Sequence, residues 1–160
     1  RASVANCNTW DLLNIRSGLP FIESVNSEAF VPQMANMELI NGVSFTKGCY
    51  TGQEIVARTH YLGKQKRRSF RIRIESAKAP SPGDQLATDT STVTQYIGTV
   101  IDVYPVDKGV YEALAVIQIA SIAEALSLKD VTSKVSLLEL PYSLEPESAV
   151  SESPEPASTS

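Results

Sequence analysis

The stretch Lys47-Gly48-Cys49-Tyr50-Thr51-Gly52-Gln53-Glu54 sets one thiol between two glycines at the start of an amphipathic pattern that predicts a helix from Tyr50 to about Tyr61. Unpaired first-turn amides and the positive end of a helix dipole favour thiolate over thiol, and Lys47 adds a cation two residues upstream of Cys49. Gly48 and Gly52 let the backbone turn sharply or approach a ligand closely. Gln53 and Glu54 lie within about one helical turn of the thiol, near the end of the helix where a carboxylate is favoured. The pattern fits a reactive cysteine. The alternative is a small buried hydrophobe, a frequent fate of free cysteine. Cys7 has no comparable surroundings.

His60 is a weak partner for Cys49. Eleven residues of helix separate the two by about 16 Å, beyond the reach of a nucleophile and its base. Cys7, Cys49 and His60 also lack the close-spaced pairs of zinc or iron–sulfur ligation, so the chain is not expected to hold a metal by itself.

Between Ile55 and Ile74 there is no acidic residue, and Arg58, Lys64, Lys66, Arg67, Arg68, Arg71 and Arg73 supply half of the chain's 14 Lys and Arg residues. This density suits a solvated face, an anion site or a phosphate-binding patch for RNA. No stacked aromatics or RNP-type motif accompany it. Trp10, the one tryptophan, is either a core residue of a short amphipathic helix or an indole on which a flat heteroaromatic stacks.

These residues need elements to hold them. Residues 8 to 17 read as a helix capped by Asn8 or Thr9, with Trp10 and Leu13 on one face and Gly18 then Pro20 as the stop. Residues 20 to 42 are turn-rich, with extended pieces at Phe21-Ile22 and Phe30-Val31 and a helical turn near Met34 to Leu39, and Val43 to Phe45 reads as a short buried strand. In the helix at Tyr50 to Tyr61, Ile55, Thr59 and Leu62 share a face adjoined by Val56, and Gly63 ends it.

Strict alternation follows in Ser69 to Glu75, with Phe70, Ile72 and Ile74 on one side of a strand and Arg71 and Arg73 on the other. Further strands are expected near Gln85 to Thr88, Tyr96 to Tyr104, Val110 to Ile119 and Lys134 to Leu140. Ser121 and Glu124 have capping-box spacing, but the residues after them suit a short strand equally well. Several short antiparallel strands make a small barrel. The expected organisation is an α+β domain portion over residues 1–66, a β-barrel over 67–144 and a tail over 145–160.

The tail's four glutamates account for the whole formal charge of −4, and among serines and prolines they offer no apolar face to dock, so this segment is expected to be disordered. No apolar run reaches the roughly 20 residues that span a bilayer. With two cysteines and no disulfide framework, the cytoplasm is the default expectation.

The octapeptide resembles the K-G-C-[FY]-x-G-Q-E signature of the YgfZ family, folate-binding, tRNA-modifying proteins linked to iron–sulfur cluster assembly and related to the glycine-cleavage aminomethyltransferase. Trp10 to Pro20, Phe30-Val31-Pro32-Gln33, Gly42 to Phe45, Glu54 to Arg58 and Leu140 to Leu144 sit in the order and rough spacing of that family, so the resemblance covers about residues 6 to 145. It implies that the chain is a fragment, opening without methionine inside a folate-binding domain of the aminomethyltransferase type. Cys49 becomes the functional thiol, with Lys47, Gln53 and Glu54 beside it. Tetrahydrofolate becomes the cofactor, with Trp10, Gly48, Tyr50, Gly52 and Arg58 as its candidate contacts. Trp10 precedes an N-I-x-x-G-x-P stretch, here Asn14, Ile15, Gly18 and Pro20. An arginine that helps hold folate near this point in the aminomethyltransferases has no clean equivalent.

The implied partners are folate and iron–sulfur proteins or their assembly factors, with tRNA contact open and no membrane. A shared cluster or a transient persulfide on Cys49 fits that link. Two other readings stay open: a folate-dependent aminomethyltransferase, whose members lack the motif's cysteine, and a non-catalytic RNA-binding or assembly module using residues 58 to 73.

Overall fold

Alternation over ten residues makes β1 (Arg67–Ser76) a strand with Phe70, Ile72 and Ile74 facing inward, and each of its edges finds an antiparallel partner. The computed structural model describes residues 8–45, 48, 51–62, 65–90 and 93–144. The other strands are β2 (Gln85–Thr90), β3 (Val93–Asp107), β4 (Val110–Gln118), β5 (Leu126–Leu128) and β6 (Ser133–Leu138). They close into a barrel in the order β1-β4-β3-β2-β5-β6, each pairing antiparallel. Two helices precede the barrel, α1 (Asn8–Arg16) and α2 (Gln53–Leu62). The expected α+β class with a small closed barrel is the observed one. The expected tail, residues 145–160, lies outside the described residues.

Inside the barrel, large side chains face small ones. Phe70 and Ile72 on β1 stand opposite Ala115 and Ala113 on β4, and Ile97, Val100, Leu86, Leu126 and Leu128 complete the core. Gly98 belongs to the same packing, since an added Cβ would come within 2.6 Å of the Val116 carbonyl oxygen. The span after Ser121 resolves in favour of the strand: a 3-10 turn over Ile119–Ser121 is followed by β5, and the Glu124 amide donates to the Ser121 carbonyl without propagating a helix.

Strand β4 is buried on both faces from Glu112 to Ile117. Ala113, Ala115 and Ile117 point into the barrel, while Leu114 and Val116 join Ile15 of α1 and Ile101 of β3 in a second core outside it, with Phe30, Met34, Tyr104 and Leu140 packed around them. A register shift at Ile101 turns both Ile101 and Asp102 toward this outer layer, because Val100 pairs with Ala115 and Asp102 with Leu114.

The segment leading to α2 differs from expectation. Val43 to Phe45 form no strand. Residues 32–41 run as consecutive turns, in line with the turn-rich reading, with Met34, Ala35, Asn36 and Leu39 amides each donating to the carbonyl three residues back. Asn36 and Asn41 hold positive φ within this run, a conformation asparagine tolerates better than most residues. Buried side chains tie these turns to the barrel where strand pairing does not. Asn26 Nδ2 donates to the Ile101 carbonyl at 2.8 Å and Asn36 Nδ2 to the Ser69 carbonyl at 2.7 Å.

The helix α1 uses a different face from the one expected. Trp10 and Leu13 are exposed, at 67% and 47%, and Ile15 is the fully buried anchor. Its C-terminus follows the Schellman pattern: the Leu19 amide donates to Asn14 and the Gly18 amide to Ile15, with Gly18 at φ +69°. A Cβ at Gly18 would meet the Tyr142 ring at 2.6 Å, and the Tyr142 hydroxyl donates to the Gly18 carbonyl at 2.9 Å. Arg16 grips Glu112 of β4 bidentately at 2.7 and 3.1 Å, and Arg71 of β1 donates to the same carboxylate at 3.1 Å.

These faces predict opposite outcomes for two substitutions. Ile15→Ala should destabilise by about 2–4 kcal/mol, since it opens a cavity in the outer core. Trp10→Ala should stay within about 0.5 kcal/mol of wild type. Chemical denaturation of each variant measures both.

Two carboxyl groups also predict opposite pH dependence. Hydrogen bonding from Arg16, opposed by burial and aided by the charges of Arg16 and Arg71, holds Glu112 below the ordinary glutamate value. Its contribution is therefore present above the unfolded-state pKa and lost as pH falls through the folded one. Burial pushes Asp102 up to about 6, with Asp11 and Glu23 adding repulsion. The folded state then binds this proton more tightly, and stability falls as pH rises from about 4 toward 6. Asp102→Asn should flatten that decline and stabilise at neutral pH by on the order of 1 kcal/mol, given how much solvent the group still meets. Glu112→Gln should destabilise at neutral pH and less so in acid. Thermal midpoints across pH check both signs.

Candidate functional site

The octapeptide runs from the end of the turn segment into α2. Lys47, Cys49 and Tyr50 lie outside the described residues, as do Cys7 and the side chain of His60. Gly48 and Gly52 are described, and both hold positive φ, +57° and +87°. A Cβ at either would meet nothing within 4 Å. Backbone conformation, not close approach of a neighbour, is what these positions require of glycine.

The helix itself begins later than expected. Thr51 and Gly52 form a turn, and the Val56 amide donates to the Gly52 carbonyl at 3.2 Å, making Gly52 the N-cap and Gln53 the first helical residue. The first-turn amides are therefore those of Gln53, Glu54 and Ile55, later than the start at Tyr50 that the pattern predicts. Glu54 keeps its favourable place in the first turn, exposed to solvent. The buried face of α2 is also not the one expected: Val56 is buried and Ile55 is 63% exposed. The side chains of Thr59 and Leu62 lie outside the described residues. Arg58 is exposed on the same helix.

One tie from helix α2 to the rest of the protein is Gln33. This side chain, 3% exposed, donates from Nε2 to the Val56 carbonyl at 2.6 Å. Nearby, Arg68 Nη1 donates to Glu38 Oε1 at 2.5 Å and reaches the Gln33 carbonyl and Asn36 Oδ1 at 3.4 Å each. Asn36 Nδ2 also donates to the Tyr142 hydroxyl at 3.3 Å. Burial raises the Tyr142 pKa, against the lowering effect of the Asn36 hydrogen bond. Sequence reasoning missed this cluster. Its only signal was polar residues inside the turn-rich span 32–41, where polar composition ordinarily means solvent.

The basic run is less available than its density implied. Arg68 pairs with Glu38, Arg71 with Glu112 and Arg73 with Glu75 at 3.3 Å. Lys66 and Arg67 at the start of β1 remain exposed. Trp10, on α1, stands on a different element from Gln53, Glu54 and Arg58, all three on α2. A depression of about 430 Å³ lined by Lys78, Gly83, Asp84, Gln85, Lys129, Asp130 and Val131 contains none of the residues singled out in the sequence. Among the described residues, no group of three or more His, Cys, Asp or Glu side chains could hold a metal ion, and no helix is long and apolar enough to cross a membrane.

No family model matches the chain. It is 37% identical over 147 residues to a protein of Enterobacter sp. (strain 638) named tRNA-modifying protein YgfZ. It is 34% identical over 146 residues to proteins of the same name from Yersinia pestis (strain Pestoides F) and Yersinia pseudotuberculosis serotype O:1b (strain IP 31758). Each match covers 90% of this chain, a span that necessarily contains the octapeptide. The chain spans 44% of the length of these relatives. Across nine-tenths of its own length, therefore, this chain is a homologue of the YgfZ proteins.

Proposed function

We propose that the chain is the barrel-bearing part of a YgfZ-type protein that binds tetrahydrofolate and supports tRNA modification by maintaining iron–sulfur enzymes, with Cys49 as its functional thiol. The observation that carries this reading is the 37% identity, over a span that includes the octapeptide, to a protein named for tRNA modification. Trp10 fits the cofactor in one respect: its indole is 67% exposed, so a pterin has a face on which to stack. Arg58, exposed on α2, suits a glutamyl carboxylate. A free-standing RNA module is disfavoured because Arg68, Arg71 and Arg73 are already paired with carboxylates. An aminomethyltransferase is disfavoured by the cysteine of the octapeptide.

In cells lacking their own YgfZ-type protein, the full-length protein containing this chain should restore modified nucleosides made by iron–sulfur enzymes. Cys49→Ser should abolish that rescue while shifting stability by no more than about 0.5 kcal/mol. Full rescue by the serine variant would remove the thiol from the mechanism. Tetrahydrofolate should quench Trp10 fluorescence saturably in the full-length protein and weakly or not at all in this chain alone, where Trp10 has only part of a pocket. An equal response in both would show that this chain holds the cofactor unaided.

A further inference from the structure

The geometry points to Gln33 as a positioning residue that ties α2, and with it the octapeptide, to the barrel; its functional side rests on the reading of Cys49 given above. Among the side chains described for α2, Val56 is the buried one, and the carbonyl of that same residue receives the Gln33 amide at 2.6 Å. Only the NH₂ end of the amide can donate to a carbonyl, which sets the orientation of the group. Its other end, Oε1, is buried and has no hydrogen-bond partner among the described residues. Burying Gln33 therefore carries a desolvation cost that an apolar side chain of similar size would avoid, and the bond to α2 is what offsets it. From Gln33 the connection continues through Arg68 into β1, and through Asn36 and Tyr142 to Gly18 at the end of α1. The thiol is three residues ahead of Gly52, the N-cap of the helix so held. Loosening α2 loosens the helix that follows the thiol in sequence.

Gln33→Met, in the full-length protein, keeps the bulk and removes the donor. Amide exchange of residues 54–62 should accelerate about tenfold while β1 and β4 keep wild-type protection. The pH profile of Cys49 alkylation should shift relative to that of Cys7, which a purely structural role for Gln33 would leave unmoved. Should the methionine variant not fold, Gln33→Glu serves. Protonated at about pH 5 its carboxyl can donate to the Val56 carbonyl, and ionised at about pH 9 it repels it, so protection of α2 should fall with rising pH after correction for intrinsic exchange. Wild-type exchange in α2, acceleration in step with β1 and β4, or an unmoved Cys49 profile each overturns the proposal. A wild-type Cys49 that alkylates no faster than Cys7 would sink the thiol reading instead; the tether is judged on α2 exchange, which does not depend on the thiol.

Discussion

Two-sided burial of β4 is the constraint on which the structure depends. Six consecutive residues, Glu112 to Ile117, are buried because one face fills the barrel and the other supports α1 and part of the turn segment that follows it. Remove the outer layer and Leu114, Val116 and Ile101 would become an exposed apolar patch; remove the barrel and Ile15 would have nothing to dock on. A strand serving two cores must be apolar on both faces, and the run Ala113-Leu114-Ala115-Val116-Ile117 is.

Apart from a 3-10 turn over Ser24–Asn26, the described outer layer over residues 20–45 has no helix or strand, so its backbone groups cannot be satisfied by a ladder. Buried amides take over part of that role. Asn26 and Asn36 reach barrel carbonyls, and Gln33 reaches a helix carbonyl, each supplying a direction that hydrophobic contact alone lacks. Glu112, gripped by Arg16 and Arg71, adds an ionic clamp between α1 and the barrel. The arrangement makes polar side chains the framework of a layer whose composition looks like a loop.

The barrel was legible in the sequence because period-two alternation in β1 reports directly on local backbone geometry. Helix α1 was legible from its stop signals, although its buried face was not. Nothing local says that Ile15, and not Trp10, meets β4, since that choice is made by a partner almost a hundred residues away. The start of α2 was misplaced because the periodic apolar pattern extends upstream of Gly52, whereas positive φ at that glycine sets the cap. The Gln33 cluster was illegible for a related reason: polar residues signal solvent until tertiary contacts supply them with carbonyls. Of the candidate site, the motif itself could be read, but not the hydrogen bond that holds its helix.

The pairing of Gly18 with Tyr142 spans 124 residues of chain. During vectorial synthesis α1 leaves the ribosome long before the tyrosine that packs against its terminal turn, and before the strand on which Ile15 rests. Until then the helix is a stretch of nine residues, too short to persist by itself in water. The layer built on α1 is therefore completed only after β4 and Tyr142 have been made, and through that interval Ile15 and Trp10 alike are surface that a nascent-chain binder could hold.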